Sequence, residues 1–170
     1  MNVAALLLTA ALAAADLSTV AGRVADERGR PVAGAQVFLE QGLGGALQVT
    51  QSAPDGSYRF ENVLPGLTGV FARAQGYGFG GRSVRVTIAD TLEDANLTLR
   101  TAGTLSGTVL GPGGSPIGGA RITRAVFLGE SRVGIPFAKL ARFGIEEPRT
   151  DDKGRFTVVS LPRRGPVALE

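Results

Sequence analysis

The sequence predicts an all-β protein: two tandem, small antiparallel β-sandwich domains of Greek-key type after a short apolar N-terminal segment. Three observations carry this expectation. Apolar residues alternate with polar ones in short runs, as in Val84-Arg85-Val86-Thr87-Ile88 and Leu97-Thr98-Leu99. Gly, Pro, Asp and Asn interrupt these runs at intervals of about ten residues, the pattern of half-buried strands joined by turns. The chain also matches itself at an offset of 85 residues, so one folding pattern is written twice. Outside the leader, helical periodicity is confined to one segment near residues 135–145.

The first element is that leader. Met1 to Ala15 reads MNVAALLLTAALAAA, carries no charged side chain, and is shorter than the about 20 apolar residues that cross a bilayer. It suits a secretory signal peptide, with Ala13-Ala14-Ala15 as the small-residue cleavage site before Asp16. No Lys or Arg follows Met1, and the alternative is a buried N-terminal helix of strong helix formers. The chain has no Cys, which excludes lipid attachment through one. The expected location is secreted, periplasmic or cell surface, with no stable membrane insertion of the mature chain.

The repeat then sets the domains. Val20-Ala21-Gly22-Arg23-Val24 corresponds to Leu105-Ser106-Gly107-Thr108-Val109. Pro31-Val32-Ala33-Gly34-Ala35-Gln36-Val37 corresponds to Pro116-Ile117-Gly118-Gly119-Ala120-Arg121-Ile122. Beyond an insertion near 128–148 the offset is 98, and Asp55-Gly56-Ser57-Tyr58-Arg59-Phe60 is answered by Lys153-Gly154-Arg155-Phe156-Thr157-Val158. Leu64-Pro65 is answered by Leu161-Pro162. The expected domains are 16–101 and 102–170.

Each repeated residue has a physical role. Gly22 and Gly107 inside strands permit close backbone approach or a bulge. Gly56 and Gly154 supply the positive φ of a hairpin turn. Tyr58 and Phe156, two residues on, are expected to point inward and anchor the cores. Leu64-Pro65-Gly66 reads as a strand exit into a turn. Val24, Val37, Leu39, Tyr58, Phe60, Val70, Val86 and Leu97 are expected to line the first core. The first copy continues to Arg100 through two strand-like runs, Val84–Ile88 and Asn96–Leu99, that have no counterpart in the second. The second domain is therefore expected to be C-terminally incomplete, with unpaired edges and an exposed apolar face, in a fragment of a larger protein. The alternative is an edge covered by the insertion or by a partner chain.

These residues carry a family resemblance. The pattern G-x-V, a turn, P-[VI]-x-G-A-x-[VI], then T-D-x-x-G-x-[FY] and L-P resembles the carboxypeptidase regulatory-like domain, a transthyretin-like, Ig-like β-sandwich. Thr150-Asp151-Asp152-Lys153-Gly154-Arg155-Phe156 fits the fourth part in full, whereas Ser52-Ala53-Pro54-Asp55-Gly56-Ser57-Tyr58 has lost its Thr-Asp pair. The resemblance implies a spacer, scaffold or interaction role of the kind appended to peptidases, receptors or cell-surface machinery. It is a resemblance to the accessory domain of zinc carboxypeptidases, and their catalytic residues have no counterpart here.

Composition narrows the chemistry. The 170 residues include no His, Cys or Trp. That excludes an imidazole base, a Ser-His-Asp triad, a thiolate nucleophile and a Cys- or His-ligated metal centre. The formal net charge is +3, from 18 basic residues of which 16 are Arg, against 15 acidic ones. The arginines, Arg163-Arg164 among them, lack the aromatic interleaving of a nucleic-acid interface, so no nucleic-acid partner is expected. Asp151 and Asp152 beside Gly154 could suggest calcium, but one short turn offers too few oxygens for six- to eight-fold coordination. Ser-Lys catalysis would have to use Lys139 or Lys153, both in loops.

Four aromatic residues remain as candidate partner or ligand contacts. Tyr77 and Phe79 sit in the glycine-rich stretch 76–81, and Phe137 and Phe143 in the insertion. Within the insertion Phe137, Leu140, Ala141 and Ile145 lie near helical spacing, so a short amphipathic helix packed on a sheet edge stands against an exposed docking surface. Tyr77 and Phe79 either stack on sugar rings or close the end of the sandwich. The reading is a non-enzymatic, exported tandem without cofactor or metal, whose partner is a protein or a glycan. A carbohydrate-binding module is the alternative, and an accessory domain of a metallocarboxypeptidase-like enzyme the third.

Overall fold

The computed structural model describes residues 17–42, 45–128, 132–162 and 167–169, so the leader and Arg163-Arg164 lie outside the described residues. The chain divides into two compact units. Unit 1 runs to Ala74 and resumes over Gly80–Thr98, and unit 2 comprises Gln75–Phe79 and the chain from Leu99 onward. The loop at 75–79 groups with unit 2 through its backbone. Gly78 N–H donates to Arg100 O (2.8 Å), Ala102 N–H to Gly76 O (2.9 Å), and Tyr77 bridges Thr101.

The all-β expectation holds. Unit 1 is built from β1 (Ser18–Asp26), β2 (Gln36–Gln41), β3 (Leu47–Gln51), β4 (Ser57–Val63), β5 (Gly66–Arg73), β6 (Gly80–Val86), β7 (Thr91–Leu92) and β8 (Leu97–Leu99). One sheet has the order β3-β2-β5-β6; in the other, β1 lies between β4 and β7 and also pairs with β8. Pairing is antiparallel in β1–β4, β2–β3, β2–β5 and β5–β6. The exception is β7, whose Thr91 and Leu92 run parallel to Thr19 and Val20. The strand expected over Val84–Ile88 stops at Val86. Ile88 and Ala89 form a turn that Thr87 ties by donating its hydroxyl to Asp90 Oδ2 (2.6 Å), and Ile88 is exposed.

Inward alternation makes the core of unit 1. Val20, Val24, Val37, Leu39, Val63 and Val70 are fully buried, with Tyr58, Phe60, Val86 and Leu97 close behind. All eight residues expected from the pattern are there. On the opposite face of β5 the Phe71 ring lies over Gly69 and Gly81: a Cβ on Gly69 would stand 2.6 Å from Phe71 Cε2.

Unit 2 has strand pairings that parallel the central part of unit 1. Its strands are β9 (Ala102–Thr108), β10 (Arg124–Leu128), β11 (Arg132–Pro136), β12 (Arg155–Pro162) and β13 (Val167–Leu169). The order β11-β10-β13 mirrors β3-β2-β5, and β12-β9 mirrors β4-β1. The hydrogen bonds outside the ladders recur as well. Val24 N–H to Gly56 O (2.8 Å) is matched by Val109 to Gly154 (2.8 Å), and Val32 to Val24 (2.9 Å) by Ile117 to Val109 (3.0 Å). Ser52 Oγ accepts from Ala35 N–H and donates to Val32 O; Thr150 Oγ1 accepts from Ala120 N–H and donates to Ile117 O. Gly56 and Gly154 both take positive φ, 81° and 71°. Among the described residues, unit 2 has no strand in the places of β6, β7 and β8.

Candidate interaction site

The insertion in unit 2 supplies β11, which pairs antiparallel with β10, followed by a helical turn. A four-residue helix α1 (Phe137–Leu140) runs into a 3₁₀ turn at Ala141–Phe143. Gly144, with φ of 71°, then stops the turn in the left-handed region, its N–H donating to Ala141 O (2.9 Å). Phe137, Leu140 and Phe143 recur every third residue, and all three are buried, Phe143 at 2 % exposure. Ala141, expected on that face, is exposed because the 3₁₀ turn rotates it outward, and Ile145 is half-buried. Phe79 reaches the same cluster: its ring centroid lies 5.1 Å from that of Phe143, with the planes tilted by 34°. Tyr77 is half-buried beside its bridge to Thr101.

The structure thus brings Phe79 and Phe143 together, with Phe137 in the same unit, as packing.

Asp26, Asp55, Asp90 and Asp151 serve turns. Asp151 Oδ1 accepts from Lys153 N–H (2.9 Å) and Arg155 N–H (2.8 Å), while Oδ2 takes Arg155 Nε (2.9 Å). These bonds, the Arg155 backbone N–H foremost, hold its carboxyl below the usual value. At Asp26 burial works to raise the carboxyl, and hydrogen bonds from Arg30 and Arg28 outweigh it, so the net shift is downward. Asp55, bonded by Ser57, and Asp90, bonded by Thr87, are also lowered. Arg121 and Glu147 form a two-pronged ion pair that lowers the Glu147 carboxyl and raises the Arg121 guanidinium. Lowered carboxyls are charged at neutral pH and cannot act there as general acids. Burial pushes the Tyr58 phenol up, which disfavours a phenolate. Among the described residues no three acidic side chains gather as a metal site.

The two units each carry an open depression on corresponding strands. In unit 1, one of about 700 Å³ is lined by Gly22, Arg23, Tyr58, Arg59, Glu93 and Asn96, among others. In unit 2, one of about 720 Å³ is lined by Ser106, Gly107, Thr108, Arg149, Arg155 and Phe156, among others. Gly22, Arg23 and Tyr58 stand at the positions that the sequence offsets pair with Gly107, Thr108 and Phe156, and Glu93 and Asn96 come from the β7–β8 segment of unit 1. In that unit Tyr58 donates its hydroxyl to Ala95 O, and a Cβ on Gly22 would stand 2.6 Å from the Ala95 carbonyl. This latch was missed in the sequence reading. Its one signal is Tyr58 standing where the second copy has Phe156.

Residues 19–100 match the carboxypeptidase regulatory-like domain. The matched span runs from β1 through β8, the whole strand set of unit 1. No curated protein sequence matches the chain. Among solved structures, 3-chlorocatechol 1,2-dioxygenase from Rhodococcus opacus is 10 % identical over 52 % of this chain and 61 % of its own, with a TM-score of 0.42. The TIE protein of Bacillus anthracis is 13 % identical over 91 % of this chain and 31 % of its own (TM-score 0.41). A DUF3823 family protein from Parabacteroides merdae is 14 % identical over 91 % and 81 % (TM-score 0.41). The chain spans less than two thirds of the length of the first two. Among the described residues no helix is long and apolar enough to cross a membrane.

Proposed function

We propose that the chain is a non-catalytic, exported module built from two copies of the regulatory-like fold, acting as a spacer that also engages a protein partner. The observation that carries this reading is the recurrence of the turn-and-ladder hydrogen bonds at the repeat offsets, together with the matching sheet orders. A repeated scaffold with Asp26, Asp55, Asp90 and Asp151 engaged in turns is suited to hold position and present edges.

Two measurements test it on the protein from its native host. N-terminal sequencing is expected to begin near Asp16, with the protein outside the cytoplasm; an intact Met1 on cytoplasmic protein contradicts export. A general peptidase and glycosidase screen is expected to return no turnover, and clear turnover contradicts the non-catalytic reading.

A further inference from the structure

We infer that Asn96 is the acceptor of an N-linked oligosaccharide, and that the first sugars of that chain lie in the depression of unit 1 beside it. The inference goes beyond the spacer reading and rests on its export, since such transfer takes place outside the cytoplasm.

The chain has three asparagines, at 2, 62 and 96. Asn2 is followed two residues on by Ala4, and Asn62 by Leu64. Asn96-Leu97-Thr98 alone forms the Asn-x-Thr acceptor pattern, with a residue other than Pro in the middle. Asp94 stands two residues before the acceptor and completes the longer acid-x-Asn-x-Thr form that some oligosaccharyltransferases require.

Spacing by itself is a weak signal, and the fold sharpens it. Ala95, Leu97 and Leu99 are buried, so Asn96 and Thr98 stand together on the outer face, both exposed. Asn96 N–H donates to Asp94 O (2.7 Å), which places the acceptor at the exit of a tight turn, just before β8. Its carboxamide is already oriented, because Oδ1 accepts the Arg23 N–H (2.8 Å). Only the oxygen can accept from an N–H, so Nδ2 occupies the other corner of the planar group. Among the described residues Nδ2 donates to no protein group.

The transfer joins Nδ2 to C1 of the first sugar and breaks the bond from C1 to the pyrophosphate of a lipid-linked oligosaccharide. The lipid pyrophosphate leaves with the electron pair, and one Nδ2 proton passes to a base of the transferase. Oδ1 is untouched, so the bond from Arg23 survives the modification and the fold need not open for it.

The neighbouring surface suits a sugar. The open depression of about 700 Å³ has Asn96 on its wall together with Arg23, Gln51, Arg59 and Glu93. These side chains offer both donors and acceptors, as sugar hydroxyls require. Arg23 and Arg59 are engaged only in long, exposed contacts, 3.5 Å to Asp55 and 3.3 Å to Glu61. Such pairs contribute little, so both guanidiniums can turn to a sugar at small cost. Ala21, opposite Arg59 in the ladder, keeps the floor low.

Trypsin releases Asn96 on the peptide 86–100, between Arg85 and Arg100. Mass spectrometry of the full chain from its native host should find this peptide heavier by an oligosaccharide, attached at Asn96 on fragmentation. Thr98→Ala, an exposed change that leaves the Arg23 bond in place, should abolish the added mass, and Thr98→Ser should retain it. In the glycosylated chain, nuclear Overhauser contacts from the first sugar to the Ala21 methyl are expected, and their absence overturns the seat in the depression. An unmodified peptide from protein that begins near Asp16 overturns the acceptor, and so does a Thr98→Ala chain that still carries the glycan on Asn96. An intact Met1 on cytoplasmic protein fails the export reading instead. The folded chain is then offered in vitro to an acid-requiring oligosaccharyltransferase with its lipid-linked oligosaccharide. Transfer to Asn96 upholds the acceptor, and no transfer overturns it.

Discussion

Val24 is fully buried in unit 1, while Val109, which makes the same hydrogen bonds in unit 2, is half-buried. The contrast recurs at two further matched positions, Val32 being 6 % exposed against 42 % for Ile117 and Tyr58 buried where Phe156 is half-buried, whereas Val37 and Ile122, and Phe60 and Val158, are buried in both units. The ladder and its turns depend on local residues, the turn glycines and the Ser52 or Thr150 hydroxyl, and both units have them. Closing the core depends on strands from far along the chain. Unit 1 has β6, β7 and β8 for this; unit 2 buries the insertion's aromatic residues instead. The difference teaches that these units take their local geometry from short motifs and their burial from whatever lies beyond the motif.

Six substitutions break or sharpen that contrast. The largest effect is expected from Phe143→Ala, at about 3–5 kcal/mol, because a fully buried ring leaves a cavity. Urea denaturation should lose unit 2 first, and a loss confined to unit 1 would refute its role. Next comes Gly22→Ala, at about 2–3 kcal/mol, since the new methyl meets the Ala95 backbone. Gly107→Ala should cost about 1 kcal/mol or less, because the half-buried Phe156 ring can turn aside. Equal losses in the two variants would erase the distinction between a latched and an open edge. Val24→Ala should cost about 2 kcal/mol and Val109→Ala about half of that, in proportion to the apolar surface each buries. Tyr58→Phe should lose about 1 kcal/mol with the hydroxyl bond to Ala95.

The smallest and broadest effect is on pH. Asp26, Asp55, Asp90 and Asp151 are all held below the ordinary value of 3.8 in the folded chain. Their contribution is complete above that value and is lost as pH falls through the lower, folded values. Thermal melts should therefore decline below about pH 4, and Asp151→Asn should flatten part of that decline.

Much of this was legible in the sequence. Alternation identified all eight core residues named for unit 1, and the glycines at 22, 56 and 154 have the close approach or positive φ that their positions implied. Three features were not legible, each for a physical reason. The parallel pairing of Thr91–Leu92 involves two residues, too few to show a period. The hairpin β10–β11 carries no alternation that separates it from a loop. Finally, the aromatic residues at 79, 137 and 143 look alike whether they face a partner or a core. Spacing alone could not show that Phe79 would come back to Phe143 from 64 residues away.

The central claim is that β1 and β9 are the same strand in two states, one covered and one open. Amide hydrogen exchange by NMR on the full chain tests it residue by residue. Thr19 and Arg23 should be protected by Asp90 and Asn96. Along β9, protection should alternate, slow at Gly107 and Val109 against β12 and fast at Ser106 and Thr108. Protection of Ser106 and Thr108 equal to that of Thr19 and Arg23 would show the β9 edge already paired and would contradict the account.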